Sequence, residues 1–316
     1  CRSKVYQNEF GEDTTIGKSN VVYNSINLPR IAFDINREFP EKTIEEKIEI
    51  YKRRWRNVAD GVKDLLFDRF RKTSALQADD FPIHQKYRLF YEDLVNLEKL
   101  EDEFKHGTLA VGFIGLSEAI EILTGEKYFA SEKNHKRALD LVEMMRNTIN
   151  EYRATYGYNF SLLGTSGEFI SGRFPKVDKN YYNHPLIEKG FYTNSFHVDV
   201  DSTLNPFDKI SFEGPFHKYC NGGCITYLEF KSAPLNNIEA ISELIEHAIK
   251  CDVNYLGFNY PLDICMDCGM QGTFDNCQKC GSKKIQRIRR VSGYLEDAAF
   301  FTEGKKAELK QRKANQ

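Results

Sequence analysis

The sequence predicts an α/β fold, and two observations carry that expectation. Segments with apolar residues at helical spacing alternate with short apolar runs of strand character, the pattern of a sheet covered by helices. Near the carboxyl end, four cysteines spaced C-x2-C-x8-C-x2-C add a small metal-bound unit to that body.

Residues 1 to 20 are polar and turn-rich, and Val21 to Ala32 reads as an extended segment that stops at Leu28-Pro29. A long helix begins after Thr43, which with Glu46 three residues on makes a capping box. Ile44, Ile48, Tyr51, Trp55, Val58, Val62 and Leu65 recur at i+3/i+4 spacing, so they predict one buried face. Helical periodicity returns over Ala110 to Leu123, closed by Gly125, and over Ala138 to Ile149 through Leu141, Val142 and Met145. A fourth helix is expected over Ile238 to Lys250. The strand-like runs are Asn159 to Leu163, Cys224 to Phe230 and Tyr255 to Phe258. Residues 171 to 222 are rich in Gly, Pro, Asn, Asp and aromatics without clear periodicity, and so long a loop points to function. Lys305 to Gln316 is charged and reads as a fraying end or a surface helix. There is no internal repeat and no low-complexity segment.

With 316 residues, 23 Phe and 17 Tyr, the chain can bury a sizeable core. A net charge of −2 supplies no global field for nucleic acid or an anionic membrane. No apolar run reaches the roughly 20 residues of a membrane helix, and no signal peptide is read at the start. A cytoplasmic setting is expected. Half of the eight cysteines sit in the tail pairs and Cys1, Cys220, Cys224 and Cys251 lie apart, which fits reduced thiols better than a disulfide framework.

In the tail, Cys265, Cys268, Cys277 and Cys280 form two knuckles, each pointing two thiolates at one ion. Gly269 and Gly281 directly follow the second cysteine of each pair, where a knuckle needs a permissive backbone. A closed S4 shell leaves no place for water, so the metal is structural; zinc is favoured over a rubredoxin-like iron site. Lys283, Lys284, Arg287, Arg289 and Arg290 follow immediately. They read either as a nucleic-acid contact or as a solvated edge strand protected by its charges, and the absence of interleaved aromatics favours the strand.

Gly293, taken alone, is a turn glycine. Its context, Arg289-Arg290-Val291-Ser292-Gly293-Tyr294 near the end of the chain, resembles the radical loop of glycyl radical enzymes. A glycine Cα radical is stabilised by the flanking amide nitrogen and carbonyl, and with no side chain the centre can become planar. Further segments make the resemblance specific to the anaerobic (class III) ribonucleoside-triphosphate reductases. They are Cys1-Arg2-Ser3, Asn27-Leu28-Pro29-Arg30-Ile31-Ala32, and Gly112 to Ala119 (GFIGLSEA). Later come Tyr192 to His197 (YTNSFH), Glu213 to His217 (EGPFH), Gly222-Gly223 and Gly257-Phe258-Asn259. The cysteine ribbon before the glycine separates this family from pyruvate formate-lyase and the diol dehydratases.

The resemblance implies the second half of a ten-stranded α/β barrel with a carboxyl-terminal zinc ribbon and glycyl radical loop. The expected boundaries are 1–260 for the barrel part, 261–284 for the ribbon and 285–316 for the loop and tail. It implies that Gly293 carries the radical, that Cys1 becomes the thiyl that takes the ribose 3′ hydrogen, and that Asn20 hydrogen-bonds the ribose. Glu168 falls on the acidic position of a Thr-Pro-Ala-Glu motif that here reads Thr165-Ser166-Gly167-Glu168, and a base role is implied for it. Ser292 stands where the family commonly has cysteine and Glu296 where it commonly has glycine. Cys220 and Cys224 read as two buried small residues or as a redox couple, and His197 and His217 as phosphate or ribose contacts or as satisfied loop histidines.

The implied partners are a radical-SAM activase, the amino-terminal half of the reductase, a second copy in the complete enzyme, and a ribonucleoside triphosphate; no membrane is implied. Formate and a dithiol protein both remain open as electron donor. A start at the catalytic cysteine fits intein splicing, a split gene or a trimmed chain. The competing functions are a zinc-ribbon nucleic-acid-binding protein, which gives Gly293 no task, and another glycyl radical enzyme acting on a carbon skeleton.

Overall fold

The computed structural model describes residues 3–89, 99–235, 237–290 and 294–315. Cys1 and Gly293, the two positions expected to carry the radical, lie outside the described residues.

The chain forms an α/β body. The first sheet is parallel, in the order β1 (Asn20–Asn27), β2 (Thr108–Ile114), β3 (Phe160–Gly164). Helices α1 (Leu28–Glu38) and α2 (Ile44–Ser74) follow β1, with two short helices, α3 (Pro82–Tyr87) and α4 (Glu101–Phe104), before β2. Helices α5 (Leu116–Thr124) and α6 (Glu132–Tyr156) lead on to β3. Then come α7 (Ile170–Asp178), α8 (Pro185–Glu188) and α9 (Pro206–Glu213). A second parallel pair, β4 (Thr226–Glu229) and β5 (Leu256–Asn259), brackets α10 (Ile238–Lys250). The remaining strands make an antiparallel sheet in the order β7-β6-β8-β9: β6 (Leu262–Cys265), β7 (Gln271–Gly272), β8 (Ile285–Arg290) and β9 (Leu295–Asp297). Helix α11 (Glu303–Gln311) closes the described chain.

The main core lies between the first sheet and helices α2 and α6: Tyr51, Trp55, Leu66 and Phe70 meet Leu141, Val142, Met145 and Tyr152. The Thr43–Glu46 capping box is present as expected. The stripe on α2 holds at Ile48, Tyr51, Trp55 and Val62, but Val58 and Leu65 point outward and Ala59, Leu66 and Phe70 are buried instead. The expected stripe alternates steps of three and four, a 3.5-residue repeat from which a helix of 3.6 residues per turn drifts, and over 31 residues the buried face moves with it.

Several expectations are corrected. The extended segment over 21–32 ends at Asn27, and Leu28-Pro29 starts α1 rather than stopping the chain. Pro suits a first helical turn because its missing N–H has no partner there, and Asn27 caps the helix by accepting from the Arg30 amide. The helix over 110–123 is a strand and a helix: Thr108–Ile114 is the central strand and is buried throughout. A parallel strand covered on both faces carries no alternation, so its apolar run merges by eye with the helix behind it. The aperiodic 171–222 stretch contains most of α7 and all of α8 and α9. Of the two readings of the tail the helix is met, as α11, though its Lys305 and Glu308 are buried rather than on the surface. The basic run is no edge strand: β8 pairs with β6 on one side and β9 on the other. Among the described residues, no helix is long and apolar enough to cross a membrane.

Candidate functional site

In parallel sheets ligand sites form beyond the carboxyl ends of the strands. Here those ends carry an interlocked set of loops. Gly112 of β2 has no room for a side chain: a Cβ would lie 2.1 Å from Thr165 Oγ1 and 2.6 Å from Ser25 Oγ. That space holds the hydrogen bond between the Ser25 and Thr165 hydroxyls, 2.8 Å long, which fixes the loop leaving β3. Gly167 in that loop donates its N–H to Asn194 Oδ1 at 2.6 Å. The Thr193–Ser195 turn is in turn held by β2 and α5: Gly115 N–H reaches Thr193 O at 2.8 Å and Leu116 N–H reaches Ser195 O at 3.2 Å. Ser195 accepts a left-handed φ of +45° to make this turn.

Under the turn lies Glu118, a buried carboxylate that accepts from the Thr193 amide at 2.8 Å and its hydroxyl at 2.7 Å. Burial, and then the negative charge of Asp199, push its pKa up to about 7. Asp199 goes the other way: burial opposes its charge, but Lys127 and Lys189 outweigh that and hold its carboxyl below the ordinary value. The sequence offered one signal for Glu118, an acid that with Glu121 interrupts the apolar run Ala110 to Leu123.

Glu168 ends the Thr165–Glu168 loop and is half-buried. Its carboxylate lies 3.7 Å from Lys305 Nζ on α11, and the same ammonium lies 3.1 Å from Glu296 on β9. Burial opposes a charge on Lys305, but Glu296 and Glu168 together raise its pKa. Helix α11 reaches this place through a close backbone crossing: a Cβ on Gly304 would lie 2.6 Å from the Gly172 Cα of α7. Sequence reasoning passed over Lys305, because one lysine among many in a charged tail carries no signal.

Asn20 sits at the opposite, amino-terminal end of β1, with its side chain 3.5 Å from Ser3 Oγ and 3.1 Å from Thr108 Oγ1. The described chain therefore does not bring Asn20 and Glu168 together. Both histidines are engaged. His197 Nδ1 meets Glu213 Oε2 at 3.2 Å. His217 Nδ1 accepts from the Asn254 amide at 3.1 Å, which leaves Nε2–H to donate to Thr226 Oγ1 at 3.0 Å.

The sulfurs of Cys265, Cys268, Cys277 and Cys280 all lie within 4.8 Å of one another. The pairs Cys265–Cys280 and Cys268–Cys277 are 3.5 Å apart, far beyond a disulfide and close to the edge, about 3.8 Å, of a tetrahedron with 2.3 Å metal–sulfur bonds. Gly269 and Gly281 have φ of +71° and +73°, and each donates its N–H to the first cysteine of its knuckle at 2.9 Å. Burial works against a charge on Cys277, but the Cys280 and Lys279 backbone amides lower its thiol to about 6. At Cys280 the Ser282 amide acts the same way, but the neighbouring thiols push the group up to about 12. At Cys268 the Met270 amide opposes a rise, but burial and Cys277 outweigh it. The four sulfurs together could hold one metal ion.

Of the basic residues beyond the cluster, Arg287 and Arg289 pair within the fold, while Lys283 and Lys284 are exposed. Asp263, buried, takes Arg289 at 2.7 Å and Arg287 at 3.5 Å, and Arg287 also reaches Asp275 at 2.9 Å. Arg312 donates to the Arg290 carbonyl at 2.6 Å and pairs with Glu229 at 3.0 Å. These contacts clamp the last described residue before 291–293, while Arg290 and Leu295 face each other across the β8–β9 ladder.

A protein-family model described as anaerobic ribonucleoside-triphosphate reductase matches residues 1–314. Curated relatives of that name include those of Salmonella typhimurium, 33% identical over 99% of this chain and 45% of its own length, and of Escherichia coli K12, 32% identical with the same coverage. That of bacteriophage T4 is 30% identical over 100% of this chain and 52% of its own length. The chain spans about half the length of the curated relatives it matches. Among solved structures, the anaerobic ribonucleotide reductase of Thermotoga maritima with glycerol in the active site superposes with a TM-score of 0.74. It is 18% identical, with 96% of this chain and 47% of that chain covered, so it speaks for the fold alone.

Proposed function

Because this chain belongs to the anaerobic ribonucleoside-triphosphate reductase family, we propose that it is the carboxyl-terminal half of a reductase that converts ribonucleoside triphosphates to deoxyribonucleoside triphosphates by radical chemistry in an oxygen-free cytoplasm. In this reading Gly293 stores the radical and Cys1 becomes the thiyl that takes the 3′ hydrogen. Thiol S–H and activated ribose C–H bonds are close in strength, so that transfer is reversible. Glu168, steadied by Lys305, is the base at the sugar. Asn20, next to Ser3, is the residue the family would set on the ribose, yet it lies at the amino-terminal end of β1, away from Glu168, and the geometry lends that contact no support.

Zinc is the ion we place on Cys265, Cys268, Cys277 and Cys280, as a structural support for the strand that leads to the loop. The parallel strands β1–β3 and β4–β5 make up the carboxyl-terminal part of a ten-stranded barrel, whose other strands come from an amino-terminal half. A radical-SAM activase installs the radical, and the complete enzyme works as a homodimer.

One observation carries most weight: the family match covers residues 1–314, a span that includes the ribbon and Gly293. The nucleic-acid reading has less support, since the Arg287 and Arg289 side chains pair with Asp275 and Asp263 and the Arg290 guanidinium lies over the Tyr227 ring. The test is anaerobic activation with the activase and the amino-terminal half. A glycyl radical signal, deoxyribonucleotide formation, and backbone cleavage at Gly293 on exposure to air support the reading. An intact chain and no reduction after verified activation refute it; cleavage without nucleotide reduction points to another glycyl radical enzyme.

A further inference from the structure

Helix α10 covers β4 and β5, a parallel pair that joins no further strand among the described residues. Leu244 and Ala248 face that pair and bury against Leu228 and Ile210. At about 100° per residue, His247 falls on one flank of this buried line and Ile238, Ile245 and Ile249 on the other. The His247 flank is taken. Its Nε2 lies 2.8 Å from Ser211 Oγ of α9, and its ring meets Phe207 edge-on at 5.3 Å. The isoleucine flank is open, with Ile238 71%, Ile245 43% and Ile249 68% exposed, and Leu235 just before the helix 78%. The three isoleucines lie within about 40° of one another and about 100° round from Leu244 and Ala248. Such a stripe looks along the sheet layer, where a neighbouring helix lies, and not out into water. Water is faced instead by Glu239, Glu243, Glu246 and Lys250, all exposed.

We propose that a helix of the amino-terminal half lies beside α10 on the flank opposite α9, an inference that rests on the reading that such a half completes this chain. Exposed hydrophobics scattered singly are ordinary, but an aligned stripe of isoleucines marks an interaction surface. The open edges of β4 and β5 give the same half a place for a further strand, and a helix connected to that strand comes to lie next to α10. The curated relatives are about twice as long as this chain, so the family supplies chain enough for it. Charge separates this occupant from the others. Three glutamates and one lysine give the outer row of α10 a net charge of −2. Antiparallel pairing of α10 with itself in a second copy sets one acidic row against the other, and an anionic membrane surface is repelled by it. The helix that fits carries apolar residues towards Ile238, Ile245 and Ile249, and Lys or Arg along the rim that meets Glu243 and Glu246.

The test uses this chain produced together with its amino-terminal half. With a photo-cross-linking benzoylphenylalanine in place of Ile245 or Ile249, peptide mass spectrometry of the irradiated complex should find a peptide of the amino-terminal half. Ile245→Glu and Ile249→Glu should each weaken the complex at least about tenfold on dilution. The unfolding midpoint of the chain alone should stay unchanged, because both side chains are exposed in it. Glu243→Lys combined with Glu246→Lys should weaken the complex by about threefold or more, with the larger effect at low salt. Cross-links to a second copy, or none in an intact complex, overturn the proposal. So do isoleucine variants that dissociate like the wild type, or that lower the midpoint of the chain alone. If the wild-type chain forms no complex with that half, the reading that it completes this chain falls, and the proposal with it.

Discussion

Lys305 and Glu168 meet with Nζ 3.7 Å from the carboxylate, although the cysteine ribbon and the 291–293 segment separate them in sequence. The same ammonium holds Glu296, so one buried cation ties the loop after β3 to the strand after the proposed radical glycine. Replacing Lys305 by Met should destabilise the protein by about 1–2 kcal/mol, less than a fully buried pair because both carboxylates are about a quarter exposed. Chemical denaturation measures this. An unchanged midpoint would show that the ammonium holds nothing together.

Glu168→Gln keeps the shape and removes the base. In the activated complex its nucleotide reduction should fall by about a hundredfold or more with the glycyl radical yield unchanged. Retention of full activity would remove Glu168 from the chemistry.

The crossing of α7 and α11 has no space for a methyl group at Gly172 or Gly304, where the nearest atoms are backbone. Gly304→Ala should cost about 1–3 kcal/mol by forcing the helices apart. Hydrogen exchange should speed up across residues 303–311 while α2 and α6 stay protected. Equal protection in α11 would contradict the tight crossing.

The four-cysteine ribbon should bind one zinc per chain, and cobalt put in its place should show thiolate charge-transfer bands. A strong chelator, or Cys277→Ser, should strip the metal and open the β6–β9 sheet, because the ion contributes directly to the folding of so small a unit. Purified protein without metal but with residues 262–297 fully protected from exchange would count against a structural ion.

Glu118 makes stability depend on pH. Its folded pKa, about 7, lies above the ordinary 4.5, so between these values the folded chain binds more protons than the unfolded one. Its contribution is present below about pH 4.5 and is lost as pH rises towards 7, up to about 3 kcal/mol in all. Asp199 has the opposite shift and acts at lower pH. The unfolding free energy of Glu118→Gln should therefore fall less steeply than that of the wild type between pH 5 and 7. Parallel curves would show that Glu118 is ionised throughout.

Local chemistry was legible where it is written in adjacent residues. The Thr43–Glu46 box, the Gly125 stop, the helix over Ile238 to Lys250 and the two cysteine knuckles depend on spacings of a few residues, and all appear as expected. Thr108–Ile114 was misread because burial on both faces erases the alternation that marks a strand. The α2 face was misread at Val58 and Leu65 because the drift of a long helix is small per turn and large in sum.

By itself the sequence determined the α/β class, the cysteine cluster and the family, since each rests on the order and type of residues along the chain. Only the tertiary structure decided what the charges do. Whether Arg289 faces solvent or Asp263, whether Lys305 hangs in a tail or bridges Glu168 and Glu296, and whether Cys220 and Cys224 touch over a cavity depend on distant segments. Burial turns an ordinary charge or thiol into a specific one, and burial is a property of the packed chain, not of any residue's neighbours in sequence.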